Sequence, residues 1–273
     1  MKIIAEVGIN HNGDIDLARK LIDTAYIAGC DYVKFQKRTV SRVYSKEDLA
    51  KPRVSPWGNT TKEQKEGIEL EFTDYQAIND YCKTRIPWFA SAWDELAVNL
   101  LMGFEPPFIK IASAMMTNEK VLAAVKYYDV PVILSTGMCS LGEIDKAVKF
   151  FRKDRVHCIM HCTSTYPTKT EEMNLRCITT LKERYPGYRI GFSNHHPGII
   201  FMPAAVALGA EMVEFHITMD KLMYGSDQAA SFNPEGTIKA CKYMRDVEAA
   251  LGDGVKKIYD SERPIREKLS CAQ

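Results

Sequence analysis

The sequence predicts an α/β protein built as a (β/α)8 TIM barrel. Two observations carry that prediction: eight short apolar runs of strand length, and a punctuated helical stretch after nearly every run. A third excludes the main rival. An open doubly wound sheet carries phosphate-binding glycines after its first strand, whereas this chain has Asn10-His11-Asn12-Gly13 there. The length of 273 residues suits one such barrel, and 46% hydrophobic residues supply its core. A single barrel domain over residues 1–273 is the expected organisation.

The runs span residues 3–9, 32–35, 88–90, 108–111, 132–134, 156–161, 189–192 and 212–216. Each is rich in β-branched or aromatic residues without strict polar alternation, as strands buried on both faces are. After the first run, Leu17, Ala18, Leu21, Ile22, Ala25 and Ala28 keep a helical spacing, and Gly29 closes the helix. Thr73 with Gln76, and Ser140 with Glu143, have the spacing of reciprocal helix caps. Asn233-Pro234 opens the last long helix and Gly252 ends it. One stretch breaks the rhythm. Residues 38–71 hold Pro52, Pro56, Trp57, Gly58 and many charges, and read as a βα insertion over the barrel mouth or as an ordinary surface excursion. A short charged tail, 261–268, follows the last long helix.

Composition narrows the class further. Thirty-six basic against thirty-five acidic side chains give a net charge of +1, which leaves no global electrostatic case for nucleic acid or an anionic membrane. The longest nearly uncharged stretch, 198–210, is too short to span a bilayer, and Glu6 interrupts the apolar run that a signal peptide requires. The cysteines (Cys30, Cys82, Cys139, Cys158, Cys162, Cys177, Cys241 and Cys271) are scattered without Cys-x-x-Cys pairs and read as reduced core thiols. A cytoplasmic protein is expected.

In a barrel of this kind the carboxyl ends of the strands converge on one face, which holds the active site. Polar residues stand at those ends here: Glu6, Lys34 and Gln36, Ser91, Lys110 and Ser113, Ser135, Ser164 and Tyr166, Ser193 and His195, Glu214 and His216. A lysine inside an apolar strand is costly unless paired or aimed into a wet cavity. Lys34 and Lys110 therefore read either as two fixed cations of an anion site ringed by Ser91, Ser113, Ser135 and Ser193, or as members of buried Lys–Glu pairs. His195 and His216 close consecutive strands. With Glu6, Glu214 and Asp227 nearby, the two imidazoles fit a divalent cation with positions left for water or substrate oxygen. An imine-forming aldolase with Lys110 or Lys34 as nucleophile stays open on the same fold.

Taken together these residues resemble the sialic acid synthase family, the phosphoenolpyruvate-dependent enzymes that make nonulosonic acids. The stretches that carry the resemblance are Ile4-Ala5-Glu6-Val7-Gly8-Ile9-Asn10-His11-Asn12-Gly13, Val33-Lys34-Phe35-Gln36, Lys110-Ile111-Ala112-Ser113 and Leu134-Ser135-Thr136-Gly137-Met138. They continue with His161-Cys162-Thr163-Ser164-Thr165-Tyr166-Pro167, Gly191-Phe192-Ser193-Asn194-His195, Val213-Glu214-Phe215-His216 and Gly225-Ser226-Asp227. The resemblance implies condensation of phosphoenolpyruvate with an aldose or hexosamine aldehyde to a 3-deoxy-2-ketoacid and phosphate. It implies that Lys34, Lys110, Ser91, Ser113, Ser135 and Ser193 hold the phosphate and carboxylate of the donor, and that Tyr166 lies near both substrates. It further implies that His195 and His216 ligate a divalent ion, Mn2+ with Mg2+ or Co2+ as alternatives. Glu6, Gln36 and Asp227 then lie near the acceptor sugar or metal-bound water, with Ser164 on the substrate side. A homodimer is the family habit.

The chain departs from the family pattern on the sugar side. Met115 stands where a Glu is expected two residues after Ser113, Ser164 where an Asn is frequent, and Asn194 where an Asp precedes the metal histidine. The antifreeze-like C-terminal domain of the well-studied members, credited with N-acyl recognition, has no counterpart before Gln273. The expected function is therefore a phosphoenolpyruvate-dependent synthase whose acceptor is open between N-acylated and phosphorylated sugars. A non-catalytic binding barrel is the rival from another class, and Met115 is its main support.

Overall fold

The computed structural model describes residues 1–270, so Cys271 lies outside the described residues. Ten strands follow in chain order: β1 (Lys2–Gly8), β2 (Tyr32–Lys37), β3 (Pro52–Ser55), β4 (Gly58–Thr60), β5 (Trp88–Ala92), β6 (Ile109–Ile111), β7 (Val132–Ser135), β8 (Val156–Cys162), β9 (Ile190–Asn194) and β10 (Met212–His216). Eight of them close a parallel barrel in the order β1-β10-β9-β8-β7-β6-β5-β2, while β3 and β4 form a separate antiparallel hairpin. All eight expected runs are barrel strands, with ends shifted by a few residues.

Strand periodicity divides the interior of the barrel into levels. Ile4, Phe89, Phe108, Ile133, Cys158, Met160 and Met212 form an apolar plug at the amino-terminal end. Two residues further along the strands, the same faces present Glu6, Ser91, Lys110, Ser135, Cys162 and Glu214. Register sets this level. Glu6 pairs with both Lys34 and His216, Ser91 with Lys110, Cys162 with Ser193, and Ser193 with Glu214. Gly191 belongs to the plug, where a Cβ would lie 2.8 Å from the Met212 carbonyl oxygen and 2.9 Å from Cys158 Sγ. The plug excludes water from below, so charges one level up must find partners within the barrel.

Local signals start and stop the helices much as expected. Asp14 caps the helix Ile15–Ile27 through Asp16 and Leu17 amides, and Gly29 at φ +79° turns the chain out of it. Ser140 and Glu143 form their reciprocal cap, and Asn233 caps Pro234–Leu251. Each such cap stabilises by about 1 kcal/mol. Thr73 and Gln76 do not form the expected pair: the helix Phe72–Cys82 starts earlier, capped by Glu71 with Asp74. The tail carries an exposed helix, Arg263–Leu269.

Residues 38–71 carry more structure than the sequence suggests, with short helices at Val40–Val43 and Lys46–Leu49, the β3–β4 hairpin, and the helix Thr61–Ile68. Trp57 packs edge-on against Tyr224 at 5.5 Å, and Gly67 lies so close to Trp57 that a Cβ would fall 2.1 Å from its ring. Gly13, at φ +71°, meets the Gly67 carbonyl. The segment thus rests on the loops that follow β1 and β10. No helix among the described residues is long and apolar enough to cross a membrane.

Candidate active site

A cavity of about 130 Å³ opens at the carboxyl ends of the strands. Its lining includes Glu6, Lys34, Gln36, Ser91, Lys110, Ser113, Ser135, Ser164, Tyr166, Ser193, His195 and His216, all candidates from the sequence. Asp227 stands just outside the lining, with Oδ2 3.7 Å from His216 Nδ1. A wider groove of about 530 Å³ lies at the opposite end of the barrel between Trp88 and Phe104, and carries none of these groups.

The floor of the cavity is an ion-pair layer. Lys34 Nζ lies 2.6 Å from Glu6 Oε2 and 3.7 Å from Glu214 Oε1, and Lys110 Nζ lies 2.6 Å from the same Glu214 oxygen. All four side chains are nearly solvent-free. Of the two readings of the lysines, the structure shows the buried Lys–Glu pairing: both line the cavity, and both are paired with carboxylates rather than free cations. Ser91 accepts a hydrogen bond from Lys34 at 3.1 Å, and Ser193 donates one to Glu214 at 3.1 Å. The Gly137 amide donates to Ser113 Oγ at 3.0 Å.

The layer splits its two carboxylates. Burial pushes Glu6 upward, and the Glu214 charge adds to the rise, while Lys34 and Gln36 pull back only in part. Burial also works against the Glu214 anion, but Lys110 and Lys34 outweigh it and hold that carboxyl well below the usual range. Burial opposes the Lys34 ammonium, yet Glu214 and Glu6 outweigh it and raise its pKa. One carboxyl is thus poised to hold a proton near neutral pH while its neighbour stays ionised.

Above the floor, the His195 and His216 rings lie 5.4 Å apart. His195 Nδ1 faces the Thr163 carbonyl at 2.8 Å, and Nε2 faces the Tyr166 hydroxyl at 2.9 Å. With Nδ1 donating to that carbonyl, Nε2 accepts from the Tyr166 hydroxyl, a hydrogen bond that a metal at this nitrogen would have to replace. His216 Nδ1 is buried without a hydrogen-bond partner among the described residues, and burial lowers its pKa to about 3, so the imidazole is neutral. The pair fits a divalent cation as a two-point site. Among the described residues no group of three or more His, Cys, Asp or Glu side chains is arranged to hold one, so the other positions would fall to water or substrate.

Several residues enter the site that sequence reasoning passed over. Cys162 faces the cavity with Sγ 3.8 Å from His195 Nδ1, although its scattered spacing marked it only as a core thiol. Trp93 lines the cavity with a buried, unpartnered indole N–H, and Arg38 stacks over it at 4.5 Å. Met115 lies outside the lining, packed against the core with Sδ 3.8 Å from the Asn118 amide nitrogen. Asn194 also turns away and holds the His196 backbone, accepting from its N–H and donating to its carbonyl.

Comparison with known proteins agrees with this geometry. Residues 21–256 match the NeuB family. The chain is similar to N-acetylneuraminate-9-phosphate synthase of Mus musculus, with 36% identity over 98% of this chain and 76% of the relative. It is similar to N,N'-diacetyllegionaminic acid synthase of Campylobacter jejuni, with 35% identity over 96% of this chain and 80% of the relative. A crystal structure of N-acetylneuraminic acid synthetase from Leptospira borgpetersenii in complex with citrate superposes with a TM-score of 0.84 and 31% identity, covering 99% of this chain and 92% of that one. The motifs at the strand ends, the closed barrel and these matches lead to one assignment: the chain belongs to the NeuB family, the sialic acid synthases that its sequence resembles.

Proposed function

We propose that the chain condenses phosphoenolpyruvate with the open-chain aldehyde of a sugar to give a 3-deoxy-2-ketoacid of the nonulosonic type and inorganic phosphate. The observation that carries this reading is the lysine and serine floor set directly beneath two neighbouring imidazoles, in a member of the NeuB family. In the reaction, the third carbon of phosphoenolpyruvate forms a bond to the aldehyde carbon, water adds to the second carbon, and the resulting tetrahedral species expels phosphate.

Lys34 and Lys110 hold the charge of the donor's phosphate and carboxylate, and Ser91, Ser113, Ser135 and Ser193 supply hydroxyl contacts around it. With a proton on Glu6, the floor presents two ammonium groups against one carboxylate, which is the charge state suited to an anion. Its burial and raised pKa support Glu6 as the group that holds a proton beside the added water. Tyr166, bonded to His195, stands over the place where the two substrates meet. Gln36, Ser164 and Asp227 face the acceptor side. The family is metal-dependent in general. His195 and His216 would hold the ion, with Mn2+ the expected metal, and when bound it polarises the sugar aldehyde as a Lewis acid.

The floor weighs against an imine-forming aldolase, because Lys34 is held as an ammonium and Lys110 is bound to Glu214. Met115 gives the non-catalytic reading little support, since it lies away from the cavity. The free cysteines among the described residues fit the reducing cytoplasm. The test is a phosphate-release assay with phosphoenolpyruvate, Mn2+ and a panel of aldoses and hexosamines, read with product mass. Phosphate released with a matching ketoacid supports the proposal, and pyruvate trapped on a lysine by borohydride contradicts it.

A further inference from the structure

The relatives leave the acceptor class divided, one being named for a 9-phosphate product and another for a diacetylated acid. The segment 38–71 bears on that choice. Within it, Arg38 and Arg53 lie within electrostatic range of Lys65, and Arg38 follows Lys37 at the end of β2. Lys37 and Arg38 share the single carboxylate of Glu69, at 3.6 and 3.0 Å. Neither Lys65 nor Arg53 has a carboxylate within 4.0 Å among the described residues.

Lys65 is half-buried, with its ammonium over the Tyr44 ring at 5.0 Å. Arg38 is 7% exposed and its Nε has no hydrogen-bond partner among the described residues. The cluster touches the cavity at two points. Arg38 donates to the Gln36 side chain and stacks on Trp93, both of which line the cavity. Lys65 lies within electrostatic range of Asp227, which neighbours His216. Burial first, then Arg38 and Arg53, make the Lys65 ammonium harder to keep protonated. Crowding of like charges at a half-buried position is relieved when an anion binds.

We propose that Arg38, Arg53 and Lys65 form a second anion subsite that takes the terminal phosphate of a phosphorylated sugar acceptor. The subsite rests on the condensation reading for its orientation. The sugar's aldehyde end lies at His195 and His216, its chain passes Asp227, and its far end reaches the 38–71 segment. Arg38, Arg53 and Lys65 against Glu69 and Asp227 leave an excess of one positive charge, which favours an anion such as a phosphate monoester.

The test is calorimetric titration of the full chain with Mn2+ and no phosphoenolpyruvate, using N-acetylmannosamine 6-phosphate, N-acetylmannosamine and inorganic phosphate as probes. The expected result is affinity for the sugar phosphate about tenfold or more above that for either other probe. Lys65→Met should erase most of that preference. Arg53→Gln, at an exposed position with no ionic partner among the described residues, should reduce it without threatening the fold. Equal affinity for the two sugars, a preference unchanged in Lys65→Met, or inorganic phosphate binding as tightly as the sugar phosphate would each overturn the subsite. Failure of the condensation reading looks different: tight, Lys65-dependent binding of the sugar phosphate with no phosphate released from phosphoenolpyruvate.

Discussion

Lys110 Nζ lies 2.6 Å from Glu214 Oε1, and Lys34 leans on the same oxygen at 3.7 Å, so one buried carboxylate balances two ammonium groups. This sharing makes the two partners unequal. Glu214→Gln leaves Lys110 without an ionic partner and should cost about 3–5 kcal/mol, whereas Lys110→Met leaves Glu214 with Lys34 and should cost less. Chemical denaturation of both variants checks the order, and a larger loss in Lys110→Met would contradict it. Both should lose phosphoenolpyruvate turnover.

Glu6 is expected to couple donor binding to pH. Its pKa is raised by burial and by Glu214, and an anion on the floor raises it further. Phosphoenolpyruvate binding should therefore take up a proton, and its affinity should weaken as pH rises through neutrality into the alkaline range. Calorimetry in buffers of differing ionisation enthalpy measures the uptake directly. In Glu6→Gln the proton uptake should vanish, and a wild-type affinity that is flat from pH 6 to 9 would oppose this role for Glu6.

His216→Ala should abolish both bound Mn2+ and turnover, because the proposed metal site has only two imidazole donors. Metal analysis after dialysis reads the first and phosphate release the second. Full retention of either would undo the pairing of His195 with His216. Chelation of the wild type should stop turnover while leaving the circular dichroism spectrum unchanged, since strand pairing and the apolar core hold the barrel.

Acid stability follows from two buried histidines. Burial lowers His11 and His216 to about 3 from an ordinary 6.5, so the folded protein keeps both neutral while the unfolded chain protonates them. The unfolded state then binds more protons, and stability is present in full above pH 6.5 and is lost as pH falls toward 3. Glu6 acts in the opposite sense, since its folded form retains a proton above the ordinary 4.5, which removes about one proton from the difference between 4.5 and neutrality. Thermal midpoints in chelating buffer should accordingly fall gently from pH 6.5 to 4.5 and steeply below that. A midpoint constant down to pH 4 would contradict this account of the two imidazoles.

The fold was legible because its strands are continuous apolar runs and its helices begin at capping residues. Ser140 with Glu143 and Gly29 are seen as expected. Thr73 misled because Glu71 and Asp74 offer the same reciprocal chemistry two residues earlier, and spacing alone does not rank two overlapping caps. Residues at strand ends were legible because register brings consecutive strand ends to one level. The Lys–Glu sharing was open to two readings, since which carboxylate faces which lysine across a closed barrel depends on the shear between strands. Arg38, Lys65 and Trp93 went unnoticed for another reason. They lie on or beside an irregular segment whose packing against Tyr224 has no periodic trace in the sequence.

The most direct measurement uses phosphoenolpyruvate labelled with 18O in the oxygen that bridges carbon and phosphorus. The full chain, Mn2+ and an accepted sugar are incubated with it, and the phosphate and ketoacid are weighed by mass spectrometry. Addition of water at the second carbon, followed by loss of phosphate, predicts that the label leaves entirely in inorganic phosphate and that one new ketoacid appears per phosphate released. Label retained in the ketoacid, or phosphate released with no new carbon–carbon bond, would contradict the assignment of this barrel mouth to enolpyruvyl condensation.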